Sequence, residues 1–113
     1  MTLYLKPFDL VIVPFPYSDD PKLFKPRPGL VVSSNAHRSS GKVFVAMITS
    51  VRNQMVGDIE LRNWQELSLP VPSKVRASKI ATFEISNILK RLARCDQIAI
   101  DATQIVLRDL FEI

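Results

Sequence analysis

One cysteine, one histidine and three glycines are all that 113 residues contain of these types, and each shortage closes a class of function. A lone Cys95 makes no internal disulfide. With no amino-terminal apolar leader and no apolar run approaching the ~20 residues of a membrane span, the chain reads as cytoplasmic. Gly29, Gly41 and Gly57 stand apart, so no glycine-rich loop is available to cradle a phosphate. One histidine and one cysteine do not build a structural zinc site, and neither H-E-x-x-H nor a nucleophile elbow occurs. No metal or cofactor is expected. Cys95 follows Arg94, a neighbour that lowers a thiol pKa, but at the end of an apolar segment it reads as a packing residue. His37 falls in a polar turn.

Charge, in contrast, is plentiful and uneven. The chain carries +4 overall, yet residues 96–113 set Arg108 against Asp96, Asp101, Asp109 and Glu112, a net of −3, which leaves +7 on residues 1–95. A basic body of this kind favours a polyanionic partner, nucleic acid first. The length suits a single domain over residues 1–113, with no repeats and no internal linker.

The apolar and β-branched run at residues 8–16, closed by prolines, reads as a first strand. Residues 17–26, YSDDPKLFKP, make a loop, and loops of that length are more often functional than plain turns. Strands follow at residues 29–33 and 42–48, separated by the polar turn NAHRSSG, and a weaker one at 56–61. Asn63 and Glu66 have capping-box spacing and predict one helical turn. Pro70 and Pro72 end it, and two extended pieces, 73–77 and 79–83, come next. Residues 88–93 fit helix and strand equally. Asp96 is a good N-cap, and Ile98, Ala102, Ile105, Val106 and Leu110 recur at helical spacing to the end. Short strands with a final helix point to a mainly β fold, a small barrel or curled sheet carrying a C-terminal α-helix.

The residues suited to chemistry lie at strand ends. KPRPGLVVSS, residues 25–34, places Arg27 between two prolines, which bias both Lys25 and Arg27 to extended geometry at the mouth of a strand. Thr49 and Ser50 close another strand, and Arg76 closes the extended segment after the double proline. A guanidinium offers a rigid fork of donors to phosphate oxygens, and hydroxyls add donors to the same group. Such a cluster binds a phosphodiester and stabilises the extra charge that develops on it. RNA brings its own nucleophile in the 2′-hydroxyl.

Taken in order, FDLVIVPFPYSD, KPRPGLVVSS, VAMITS and NWQELSLPVPSKVRASKIATF resemble the MazF/PemK family of toxin endoribonucleases of bacterial type II toxin–antitoxin systems. The match spans nearly the whole chain. The resemblance implies an SH3-like small β-barrel with short helices and a C-terminal helix, a homodimer, and a cognate antitoxin whose acidic tail lies over a basic groove. It makes residues 88–94 a strand. It also implies metal-independent cleavage of single-stranded RNA, leaving 2′,3′-cyclic phosphate and 5′-hydroxyl ends. Arg27 matches the arginine expected to hold the scissile phosphate and join in proton transfer. Thr49 matches the threonine that hydrogen-bonds it, and Arg76 the arginine of the V-R element. Ser50, Lys22, Lys25, Arg52, Lys74 and Ser78 are expected to touch the RNA.

Three departures bear on the chemistry. An acid found in some members two residues after the V-R arginine is Ser78 here, the glycine that opens the first strand is Phe8, and Lys22, Lys25 and Pro26 occupy positions where others carry a glutamate and a glycine or histidine. The general base is therefore unassigned, Asp19 and Asp20 being the loop candidates. A binding protein of the same fold that has lost cleavage, a gyrase poison like the CcdB toxins, and a non-toxic SH3-like nucleic-acid-binding module are the competing readings.

Overall fold

The computed structural model describes residues 4–16 and 24–113. Among these, six strands form one sheet in the order β4-β5-β3-β2-β1-β6, every neighbouring pair antiparallel. The strands are β1 (Asp9–Pro16), β2 (Phe24–Val31), β3 (Lys42–Thr49), β4 (Asp58–Leu61), β5 (Ser73–Glu84) and β6 (Lys90–Arg94). A short helix α1 (Asn35–Arg38) precedes β3, and α2 (Gln97–Phe111) closes the described chain. The protein is mainly β as the sequence predicts, but the ladder is open. No pairing joins β4 to β6 among the described residues, so of the small barrel or curled sheet that the sequence predicts the ladder forms an open six-stranded sheet with two edges.

Alternation of side chains divides the apolar residues between two faces. Leu10, Leu30, Ala46, Ile48, Ile59, Leu61 and Val75 point to one face, where Ala99 and Ile100 of α2 cover them. Val11, Val13, Phe15, Val31, Val43, Val45 and Met47 fill the other with Leu5 and Ile88. Asp96 caps α2 as expected, accepting from the Ala99 amide at 2.9 Å. Of residues 88–94, which the resemblance makes a strand, Lys90–Arg94 form β6, while 88 and 89 precede it outside the strand.

Other local differences have plain causes. The two extended pieces at 73–77 and 79–83 are one long strand, interrupted where the register shifts between Ala46 and Met47. The capping-box segment at Asn63 forms successive turns and no regular helix: the Glu66, Leu67 and Ser68 amides reach the Asn63, Trp64 and Gln65 carbonyls, each three residues back. β2 starts at Phe24, inside the expected loop, because β1 continues to pair with it from Leu30 back to Phe24. Phe8, at the position where the resemblance implies a glycine, has φ 71°, a left-handed conformation that glycine adopts freely and phenylalanine does not. Its ring is buried in the helix-covered core, which holds it there.

Gly29 shows how tightly β2 is fitted. A Cβ at this position would run into Val45 Cγ1 and lie 3.1 Å from the Ala46 carbonyl oxygen, inside the paired part of β2 and β3. Gly29→Ala is therefore expected to cost about 1–3 kcal/mol of stability by overpacking, read as a lowered thermal midpoint in circular dichroism. An unchanged midpoint would mean that the strands part more readily than their packing indicates.

Candidate active site

The two prolines around Arg27 shape the site through the groups they lack. The β1–β2 ladder runs past both Pro26 and Pro28, whereas the β2–β3 ladder stops at the Gly29–Met47 pair. Proline has no N–H to donate, so β2 releases β3 where the prolines begin and Arg27 stands at the resulting gap. Its side chain is half-buried, and its Nε is buried with no hydrogen-bond partner. A buried donor left unmade is costly, and a site that supplies an anion satisfies it.

Strand register brings the other residues to this gap. Thr49 pairs with Lys74 and Lys74 with Glu60, while Arg27 pairs with Val13. Extending the Gly29–Met47 register by two residues sets Arg27 opposite Thr49, so one row across five strands reads Val13, Arg27, Thr49, Lys74, Glu60. The row behind it reads Val11, Gly29, Met47, Arg76, Asp58. Thr49 is buried, and its Oγ1 accepts from the Val51 amide at 3.2 Å. That bond occupies an acceptor lone pair and leaves the hydroxyl proton to donate.

Asp58 organises the second row. Its side chain is fully enclosed and takes Arg76 Nε on Oδ1 and Arg76 Nη2 on Oδ2, both at 3.1 Å, with Lys74 Nζ at 3.2 Å. Burial pushes this carboxyl upward, but hydrogen bonds from Arg76, the Met55 amide and Lys74 outweigh it and hold the pKa at about 2. The same pairing raises Arg76, through its hydrogen bond to Asp58. Lys74, expected at the RNA, is almost entirely buried, and its ammonium donates to the Asn53 and Arg52 carbonyls and to Gln54 Oε1. Arg76 Nη2 also reaches the Asn53 carbonyl at 2.8 Å. Together they tie the loop after β3 down onto β5.

A cavity of about 310 Å³ opens over the Thr49–Lys74–Glu60 end of the first row, lined by Thr49, Ser50, Arg52, Glu60, Ser73 and Lys74 among others, and Arg27 is not part of its lining. Ser50 and Arg52 are exposed at its edge. Ser78 is exposed in the irregular part of β5 and does not line the cavity. Lys25 is exposed on β2, two residues from Arg27. Lys22, Asp19 and Asp20 lie outside the described residues. Cys95 is buried away from this face, and burial first, then Asp96, pushes its thiol up to about 12, so the neighbouring Arg94 does not activate it. His37 stacks on Phe44, ring centroids 4.3 Å apart, in α1 before the other end of β3.

Asp58 and Glu60 were not singled out from the sequence. The signal was present in D-I-E-L, residues 58–61, where Ile59 and Leu61 belong to the core and the two acids must take the opposite face. What the alternation does not tell is that β4 pairs with β5 and so carries that face to the arginines.

The first row thus sets Arg27 and Lys74 beside Thr49 and Glu60 on a small mainly β sheet. A family model described as PemK-like, MazF-like toxin of type II toxin-antitoxin system matches residues 6–111, and the chain belongs to this family. Its fold is similar to that of an endoribonuclease in complex with its cognate antitoxin from Mycobacterial species, at 17% identity, a TM-score of 0.78 and 97% of each chain covered. The MazE-MazF structure (Form-III) from Deinococcus radiodurans is similar at 20% identity and a TM-score of 0.76, covering 96% of this chain and 97% of that one. Mycobacterium tuberculosis toxin MazF-mt6 is similar at 17% identity and a TM-score of 0.70, covering 91% and 97%. No curated protein matches the chain in sequence. Among the described residues no helix is long and apolar enough to cross a membrane.

Proposed function

We propose that this toxin is an endoribonuclease that cleaves single-stranded RNA without a metal and so halts translation and growth. The observation that carries the reading is the Arg27 guanidinium, its Nε unpartnered, at the gap where Thr49 has a proton to donate. The scissile phosphate binds between them. The ribose 2′-oxygen attacks phosphorus, the P–O5′ bond breaks, and the products are a 2′,3′-cyclic phosphate and a 5′-hydroxyl. Arg27 and Thr49 bind the two non-bridging oxygens more strongly as charge gathers in the phosphorane, which is where such donors lower a barrier. Arg76, aligned by Asp58, adds a fixed positive charge one row behind.

Ser50, Arg52, Lys25, Lys22 and Ser78 contact the flanking nucleotides in this reading, while Lys74 acts by holding the loop that carries Arg52. The basic face also suits an acidic antitoxin segment that folds on binding and covers the row, in keeping with the antitoxin complexes among the similar structures. A homodimer, as the family resemblance implies, belongs to the same proposal. Incubating the purified protein with a mixed-sequence single-stranded RNA in excess EDTA tests it. Fragmentation is expected; intact RNA with salt-sensitive binding would favour a nucleic-acid-binding module instead.

A further inference from the structure

We propose that Glu60 is the general base of this toxin, the group that takes the proton from the attacking 2′-hydroxyl. The inference rests on the ribonuclease reading above and completes it, because that reading leaves the proton without an acceptor. Arginine is a poor acceptor at its ordinary pKa, and Ser78 carries no acid. Two carboxylates share the face of Arg27 and Thr49 among the described residues close to the row, Asp58 and Glu60. Asp58 is enclosed and engaged by Lys74, Arg76 and the Met55 amide, so it neither meets substrate nor accepts a proton readily.

Glu60 differs on each count. It is exposed, its side chain makes no hydrogen bond or ion pair with the described residues, and it lines the 310 Å³ cavity together with Thr49 and Ser50. Its α-carbon partner is Lys74, whose own partner is Thr49, so Glu60 and Thr49 stand two strand spacings apart, ~10 Å between backbones. A phosphate seated on Thr49 places the adjoining ribose over Lys74, between the two residues. Lys74 turns its ammonium down to Asp58 and the loop, which leaves that space to the sugar. The other charged groups around Glu60 are Lys74 opposite it, Arg52 across the cavity, Asp58 two residues earlier on the same face, and Arg62 and Asp96 of the α2 cap, which line a second cavity that Glu60 also borders.

The proton balance closes without another reactant than water. The Glu60 carboxylate takes the 2′-hydroxyl proton as the O2′–P bond forms. The departing O5′ takes a proton from water as the P–O5′ bond breaks, and the resulting hydroxide is neutralised by the proton that Glu60 gives back.

The test compares wild type, Glu60→Gln and Glu60→Asp on a fluorescent single-stranded RNA in EDTA, with kcat and KM measured across pH. Binding to a 2′-O-methyl version, which has no nucleophile, is measured alongside. Glu60→Gln is expected to lower kcat by roughly 10²–10⁴-fold, to erase the acid limb of the pH profile, and to bind the blocked RNA as wild type does. Glu60→Asp should recover part of the rate together with that limb. A Gln variant as fast as wild type, or slower with the pH profile unchanged, overturns the assignment while the ribonuclease reading stands. No cleavage by wild type overturns both.

Discussion

Arg27→Ala is expected to lower RNA cleavage by about 10²–10³-fold or more, the loss seen when one donor to a developing oxyanion is removed, while leaving thermal unfolding nearly unchanged. The two halves of this result have separate origins. Activity falls because the guanidinium is the one group in the first row able to offer a phosphate two donors in a fixed plane. Stability holds because Arg27 makes no hydrogen bond or ion pair with the described protein, and truncation leaves no partner orphaned. Such sites lie within about ±0.5 kcal/mol on substitution, apart from the packing of the side-chain stem. Arg27→Lys should recover little activity, since a point charge lacks the fork. A collapse of the melting temperature with cleavage retained would make Arg27 a structural residue and remove the central support of the functional reading.

Asp58→Ala should show the opposite signature, a large loss of stability. The carboxylate is the shared anion of two cations, and the Lys74 side chain is only 6% exposed. Deleting one partner of a buried ion pair strands the other charge, at a cost of about 3–5 kcal/mol. Urea unfolding at pH 7 measures it. The pH dependence supplies a second arm with a definite sign. Asp58 titrates at about 2 in the folded protein, below the ordinary 3.8, so its contribution is present above about 3.8 and is lost as the pH falls towards 2. Wild-type stability should decline through that window, and the variant should lack this component of the decline. Cleavage should fall too, because Lys74 and Arg76 would no longer be aligned to hold the Asn53 carbonyl. A variant as stable as wild type would show that the triad is solvated and incidental.

The fold and the first row of the site were legible in the sequence to different depths. Strand positions followed from β-branched runs and proline punctuation, and α2 from its N-cap and helical spacing, because these signals are local. Arg27 was marked by its flanking prolines, although their deeper effect, ending the β2–β3 ladder beside it, needs the knowledge of which strand lies on which side. Asp58 and Glu60 escaped because pairing of β4 with β5 is a long-range fact, and alternation alone places a residue on a face without naming the neighbour. The expected RNA contact at Lys74 has the same origin: a lysine at a strand start reads as solvent-exposed, and only the buried Asp58 beside it turns the ammonium inward. Whether the short strands close into a small barrel or stay a curled sheet was left open, because nothing local in the sequence distinguishes a closed ladder from an open one.

The most direct test of the account is the chemistry of the RNA ends produced in excess EDTA, with wild type and Arg27→Ala side by side. Fragments ending in 2′,3′-cyclic phosphate and beginning with 5′-hydroxyl, absent with the variant, are the predicted result. Fragments ending in a 3′-hydroxyl, or equal cleavage by a folded Arg27→Ala protein, would contradict it.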